Sequence, residues 1–135
     1  NNPEPDYKPP YIPFYLGYDN DLIDFYSRYI QISKSAKNEL IEALKVTIPE
    51  IENIEVSTIT AASPVLMIAQ KDIDAVMPLA VFGEGTLKLF RILAEIVVNR
   101  GRRLMIDEID SGIHYSRFKD FWRTILKAAK TNDVQ

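Results

Sequence analysis

The stretch Leu104-Met105-Ile106-Asp107-Glu108-Ile109-Asp110-Ser111-Gly112-Ile113-His114 decides how the rest of the chain is read. Three consecutive apolar residues run directly into two adjacent carboxylates. Apolar neighbours predict a strand over residues 104–109, buried at the centre of a sheet. The acids then stand at its C-terminal end, where an open α/β sheet gathers its ligands. A carboxylate there can hold Mg²⁺ through water, and the next one can polarise an attacking water. The competing reading is a buried strand that ends in a solvated acidic turn. What lies upstream weighs between the two.

Immediately upstream, Arg100, Arg102 and Arg103 surround Gly101. A glycine there supplies a left-handed helix stop, and the arginines suit the negative end of the helix it closes. They also admit an anion patch, which is the weaker reading. That helix is predicted over residues 87–99, with Lys88, Arg91, Glu95 and Asn99 as a narrow polar stripe on a largely apolar cylinder, buried against the sheet. Gly83-Glu84-Gly85-Thr86 opens it. Glycines let a backbone approach a phosphate closely, and the free N–H groups at a helix start favour an anion. The plain alternative is a strand-to-helix turn capped by Thr86.

Further upstream, residues 65–70 and 75–82 read as two strands joined by a polar connection, Lys71-Asp72-Ile73-Asp74. Pro78 makes the second an edge or bulged strand. Residues 51–60 alternate as another strand. Two amphipathic helices precede it. The first is capped by Asp19 or Asn20 and carries Leu22, Phe25, Tyr26, Tyr29 and Ile30 on one face. The second is capped by Ser33 or Ser35 and carries Ala36, Leu40, Ile41 and Leu44. Tyrosines at helical spacing are core and boundary residues before they are a base-stacking platform. Residues 1–18 form an extended, proline-rich lead. At the other end, a helix over residues 115–130 turns Phe118, Phe121, Trp122, Ile125 and Ala129 inward.

Composition narrows the classes. With 135 residues the chain is one domain or a large piece of one, long enough for a hydrophobic core. It has no cysteine and a single histidine, which excludes disulfides and makes a self-contained metal enzyme a poor candidate. The absence of cysteine suits a reducing cytoplasm. A net charge of −3 argues against a general nucleic-acid coat. The apolar runs are too short to span a bilayer, and no signal peptide is legible. An acid-pair hydrolase built on Asp107 and Glu108 alone fails, because adjacent strand residues point to opposite faces.

The combination of Gly83-Glu84-Gly85-Thr86, an apolar helix, the Asp107-Glu108 strand, the Ser111-Gly112 turn and His114 resembles the C-terminal half of an ABC-type AAA ATPase domain. Such domains occur in overcoming-lysogenisation-defect (OLD) and related SMC-like bacterial proteins. The resemblance is specific over residues 76–135 and topological before that. It implies an α/β fold, a partial P-loop-type sheet with flanking helices and an antiparallel hairpin. Residues 19–135 would be the C-terminal part of that domain, with 19–50 a helical lid or insertion. Gly83, Glu84, Gly85 and Thr86 would match the signature turn, which touches the γ-phosphate of ATP held by a second subunit. Gly83 stands where many relatives carry Ser, which removes one hydroxyl from that contact. Asp107 would match the Walker B acid that supports Mg²⁺, and Glu108 the residue that orients or deprotonates water. Asp110, Ser111, Gly112 and His114 would fall in the D-loop at the dimer interface, although a lone histidine at a helix start is first of all a cap.

The family's Walker A loop, Gly-x-x-x-x-Gly-Lys-Ser/Thr, has no counterpart here, since the chain contains no Gly-Lys pair. The family's switch histidine would follow Gln135. Both ends are therefore expected to continue in a longer protein. The expected partners are the Walker A half of the same protein, a second copy in a head-to-tail homodimer with ATP and Mg²⁺ between the two, and a nuclease or DNA-processing effector, phage defence being one setting; no membrane is expected. The alternative is a non-catalytic interaction domain with a degenerate ATPase fold, using its aromatic front over residues 11–29.

Overall fold

The computed structural model describes residues 10–12, 20–58 and 63–135. The chain forms a mixed α/β fold with one parallel and one antiparallel sheet. Strand β1 (Tyr11–Ile12) pairs in parallel with β5 (Met105–Ile106), placing Tyr11 opposite Met105 and Ile12 opposite Ile106. Strands β2 (Ile51–Ser57), β3 (Val65–Gln70) and β4 (Met77–Pro78) form an antiparallel sheet in that order. Among the described residues four α-helices complete the fold: α1 (Asn20–Tyr29), α2 (Lys34–Leu44), α3 (Glu84–Val98) and α4 (Phe118–Thr131). Among the described residues, no helix is long and apolar enough to cross a membrane.

Helix α3 is the axis of the core. Leu89, Phe90, Ile92, Leu93, Ala94 and Ile96 are all buried, and the helix packs against α2, α4 and α1. Its main neighbours are therefore helices, where the apolar pattern had suggested a sheet. Tyr26 on α1 is fully buried, 6.0 Å from the Phe90 ring, and its hydroxyl donates to the Ile54 carbonyl at 3.0 Å. That bond ties α1 to β2. Ser33 caps α2 by accepting from the Ala36 N–H at 3.3 Å.

Strand β5 is shorter than the apolar run suggests. The Met105 N–H donates to Pro10 and the Asp107 N–H to Ile12, at 3.0 and 2.9 Å. On the other side the Leu104 N–H donates to Gln135 and the Gln135 N–H to Arg102, at 2.8 and 3.0 Å. The segment from Arg102 to Asp107 thus bonds Gln135 just before β5 and β1 along it. Burial is one-sided, however. Ile12 and Ile106 join the core, whereas Tyr11 and Met105 on the opposite face are more than half exposed. The described helices cover only the first of these faces.

Two other expectations change. Residues 75–82 yield only Met77–Pro78 as strand, because Pro78 has no N–H to donate and Leu79–Phe82 winds into a 3-10 turn. On α4 the inward stripe is Phe121, Thr124, Ile125 and Ala128, and Trp122 stays 36% exposed beside Leu126 at 62%. One residue is about 100° of helix, so Trp122 lies off that stripe. The proline-rich lead before Pro10 and the Asp19 cap lie outside the described residues.

Candidate functional site

The site is built where α3 begins. Residues 79–82 coil into a 3-10 turn, and the chain reverses at Gly83 with φ +94° and ψ 164°. That conformation is essentially open to glycine alone. No side chain caps α3, so Thr86 does not play the capping role expected of it. Thr86 is instead 2% exposed, and its Oγ1 has no hydrogen-bond partner. The first N–H groups of any helix lack carbonyl partners within it. The start of α3 therefore offers unused donors, the positive end of the dipole and a buried, unpaired hydroxyl.

This turn borders a cavity of about 480 Å³. Its walls include Gly83, Gly85 and Thr86 from the α3 start, and Gly112, His114 and Arg117 from the segment that leads into α4. Gly85 lies against Ile113, whose Cδ1 would be 3.4 Å from a Cβ placed there. Four of the expected site residues thus meet in space with Thr86: Gly83, Gly85, Gly112 and His114. His114 is also a cap. Its Nδ1 accepts from the Ser116 N–H at 3.3 Å and lies 2.7 Å from the Ser116 hydroxyl.

Asp107, Glu108 and Asp110 do not line that cavity. Asp107 follows β5 on the open face of the parallel pair and accepts a hydrogen bond from the Tyr11 hydroxyl at 3.1 Å. Glu108 turns the chain out of the strand with φ +44°, a left-handed conformation that side chains seldom adopt. Its side chain is exposed. The acids therefore sit on a turn at the strand's end, with Ser111 N–H closing back on the Glu108 carbonyl at 2.9 Å and Gly112 at φ +77°.

One residue joins the two halves, and the sequence pattern had marked it only as polar. Lys88, one turn into α3, reaches the Glu108 carbonyl at 2.5 Å and the Ser111 carbonyl at 2.8 Å. Burial lowers the Lys88 amine below the usual lysine range, against the opposing pull of Asp110 and Glu108. The signal was a lysine four residues after Glu84 on a largely apolar helix. Its partners are backbone carbonyls, which no sequence pattern displays.

Asp107 and Glu108 also bear on Mg²⁺. Among the described residues no group of three or more histidines, cysteines or carboxylates could hold a metal. One carboxylate beside an open face fits a hard cation that keeps its waters and takes its remaining ligands from phosphates, and does not fit a cation held by protein alone.

The chain belongs to the family described as "AAA domain, putative AbiEii toxin, Type IV TA system", whose model matches residues 7–135. It is also similar to a protein of Helicobacter pylori (strain ATCC 700392 / 26695) named "ATP/GTP phosphatase". The two are 29% identical over 84 residues, which cover 62% of this chain and 23% of that protein. The chain thus spans about a quarter of that relative's length. No solved structure matches.

Proposed function

We propose that this AAA-family chain is the signature and Walker B part of an ABC-type ATPase domain of the OLD and SMC-like kind. It would bind and hydrolyse ATP as a head-to-tail dimer and drive an attached effector, a nuclease or DNA-processing module. The observation that carries the reading is the start of α3. It is uncapped, its Gly83 occupies a glycine-only conformation, and the buried Thr86 hydroxyl has no partner. These are features of a surface shaped to receive an anion. The similarity to a protein named for ATP/GTP phosphatase chemistry supports the same direction.

In this reading Gly83, Glu84, Gly85 and Thr86 contact the γ-phosphate of a nucleotide carried by the second subunit. Asp107 holds Mg²⁺ through water, with Tyr11 fixing its carboxylate. Mg²⁺ would neutralise charge on the phosphates. Glu108 orients the attacking water and takes its proton. Asp110, Ser111, Gly112 and His114 line the contact between subunits. Residues 19–50 form a helical lid or insertion. The phosphate cradle comes from the Walker A half of the same protein.

The test is Glu108→Gln in the full-length protein. ATP binding should persist while turnover falls about 100-fold or more. Unchanged turnover removes Glu108 from its role. Residues 1–135 alone should show no turnover, and detectable hydrolysis by that piece contradicts the division of labour. The second reading, a non-catalytic interaction domain, rests on the exposed Tyr11, Met105 and Tyr29. It predicts no response to nucleotide in the full-length protein.

A further inference from the structure

We infer that Lys88 is a positioning residue: it locks the turn bearing Glu108 to the first turns of α3, so that the anion-facing end of the helix and the water-activating carboxylate move as one body. The inference deepens the ATPase reading and rests on it for its catalytic consequence.

The geometry is a clamp across two segments far apart in sequence. The Lys88 ammonium bonds the carbonyls of Glu108 and Ser111, the two ends of the turn that follows β5. Those bonds hold a segment that is otherwise costly to hold. Glu108 sits at φ +44° and Gly112 at φ +77°, in a turn where Glu108, Asp110, Ser111 and Gly112 are exposed and Ile109 and Ile113 rest against the core. A left-handed non-glycine residue persists only where its surroundings over-determine it. Besides the Ser111 N–H, the Lys88 bond is the tie on the Glu108 carbonyl.

The other end of the lever is α3 itself. Glu84 and Lys88 are four residues apart, and Gly85 and Lys88 three, so they share one helix face. A displacement of the α3 start would therefore be transmitted through one rigid turn and one side chain to Glu108. Ammonium-to-carbonyl bonds are charge-assisted and directional enough to carry it. The Gly85–Ile113 contact gives the same two segments a second, apolar point of closure.

The experiment compares wild type, Lys88→Met and Lys88→Arg in the full-length protein. Met keeps the aliphatic stem and removes the donors, whereas Arg keeps donors at similar reach. Steady-state ATPase assays, thermal unfolding and amide hydrogen exchange over residues 108–113 are read together. The expected result for Lys88→Met is a kcat loss of roughly 10- to 100-fold with KM within a few-fold. Exchange should be faster over residues 108–113 and unchanged in the middle of α3. Lys88→Arg should recover most of the kcat. Wild-type kcat in Lys88→Met overturns the inference. So does a loss of kcat that only follows a general loss of thermal stability and is not rescued by Arg. If the wild-type protein has no turnover at all, the ATPase reading and this catalytic role fail together. Exchange then judges the tie alone: acceleration over 108–113 upholds it, and no change overturns it.

Discussion

Arg91 and Glu95 form an ion pair one turn apart on α3, both almost wholly buried. The Arg91 Nη2 and Nε donate to Glu95 Oε1 at 3.0 and 3.2 Å. Asn99 adds a bond to Glu95 Oε2 at 3.1 Å, and the Arg91 guanidinium lies 5.5 Å from the Phe25 ring centre. Arg91 Nη1 lies 3.5 Å from Asp21 Oδ2, close enough for an ion pair but without a hydrogen bond. Removing Glu95 leaves the buried Arg91 with only the longer contact to the exposed Asp21. Glu95→Ala should therefore cost about 3–5 kcal/mol in urea unfolding, and the double substitution Arg91→Met with Glu95→Leu clearly less. A double variant as unstable as the single one would show that the pair is not the cause.

The same pair sets a pH dependence. Burial raises the Glu95 carboxyl above its ordinary 4.5, outweighing Arg91 and Asn99. A raised carboxyl binds its proton more tightly in the folded state. Its contribution is greatest below the unfolded value, and stability declines as pH climbs from there through the folded value. Urea midpoints followed upward from about pH 4 should show this slope in wild type and lack it in Glu95→Gln.

Tyr26→Phe isolates the bond to the Ile54 carbonyl. The loss should be about 1–2 kcal/mol with an unchanged denaturant slope. Burial, with a smaller push from Glu55, also raises the Tyr26 phenol well above its ordinary 10. Wild type should then lose stability as pH passes about 10, and Tyr26→Phe should lose less of it.

Gly83 is a backbone test. No heavy atom lies within 4 Å of a Cβ placed there, so any penalty comes from φ +94° alone. Gly83→Ala should cost about 1–3 kcal/mol of stability. A neutral result would mean that the turn readily adopts another conformation.

Thr86→Val separates stability from ligand binding. Deleting an unpaired buried hydroxyl should leave the melting temperature equal or higher. In the full-length protein, ATP-driven association measured by sedimentation should weaken. Unimpaired association would show that the hydroxyl meets no phosphate.

Much of the architecture is written in short stretches. The α2 start at Ser33, the β3 boundaries and the helical period of α1 and α3 each depend on a few neighbouring residues. So does the chemistry of Gly83-Glu84-Gly85-Thr86 and of Asp107-Glu108, whose residue types and order were readable before any contact was known. Helix α3, by contrast, ends at Val98, before Gly101, whose N–H donates to the Asn132 carbonyl. Where periodicity failed, the neighbours that decide burial came from elsewhere in the chain. Trp122 faces outward because Phe121 and Ile125 already fill the approach to α3, and Met105 is exposed because the described helices cover only the Ile106 face.

By itself, then, the sequence determined where helices α1 to α4 and strands β2 and β3 lie, and which residues carry charge at a strand end, since those preferences act over one or two turns of chain. Only the tertiary structure decided that Tyr11 meets Asp107, that Arg91 and Glu95 are buried together, and that Lys88 holds the Glu108 turn. The first and last join groups that meet only when distant segments pack together, and Arg91–Glu95 is a one-turn pair whose burial that same packing decides. Such meetings depend on the whole fold, so no local pattern encodes them.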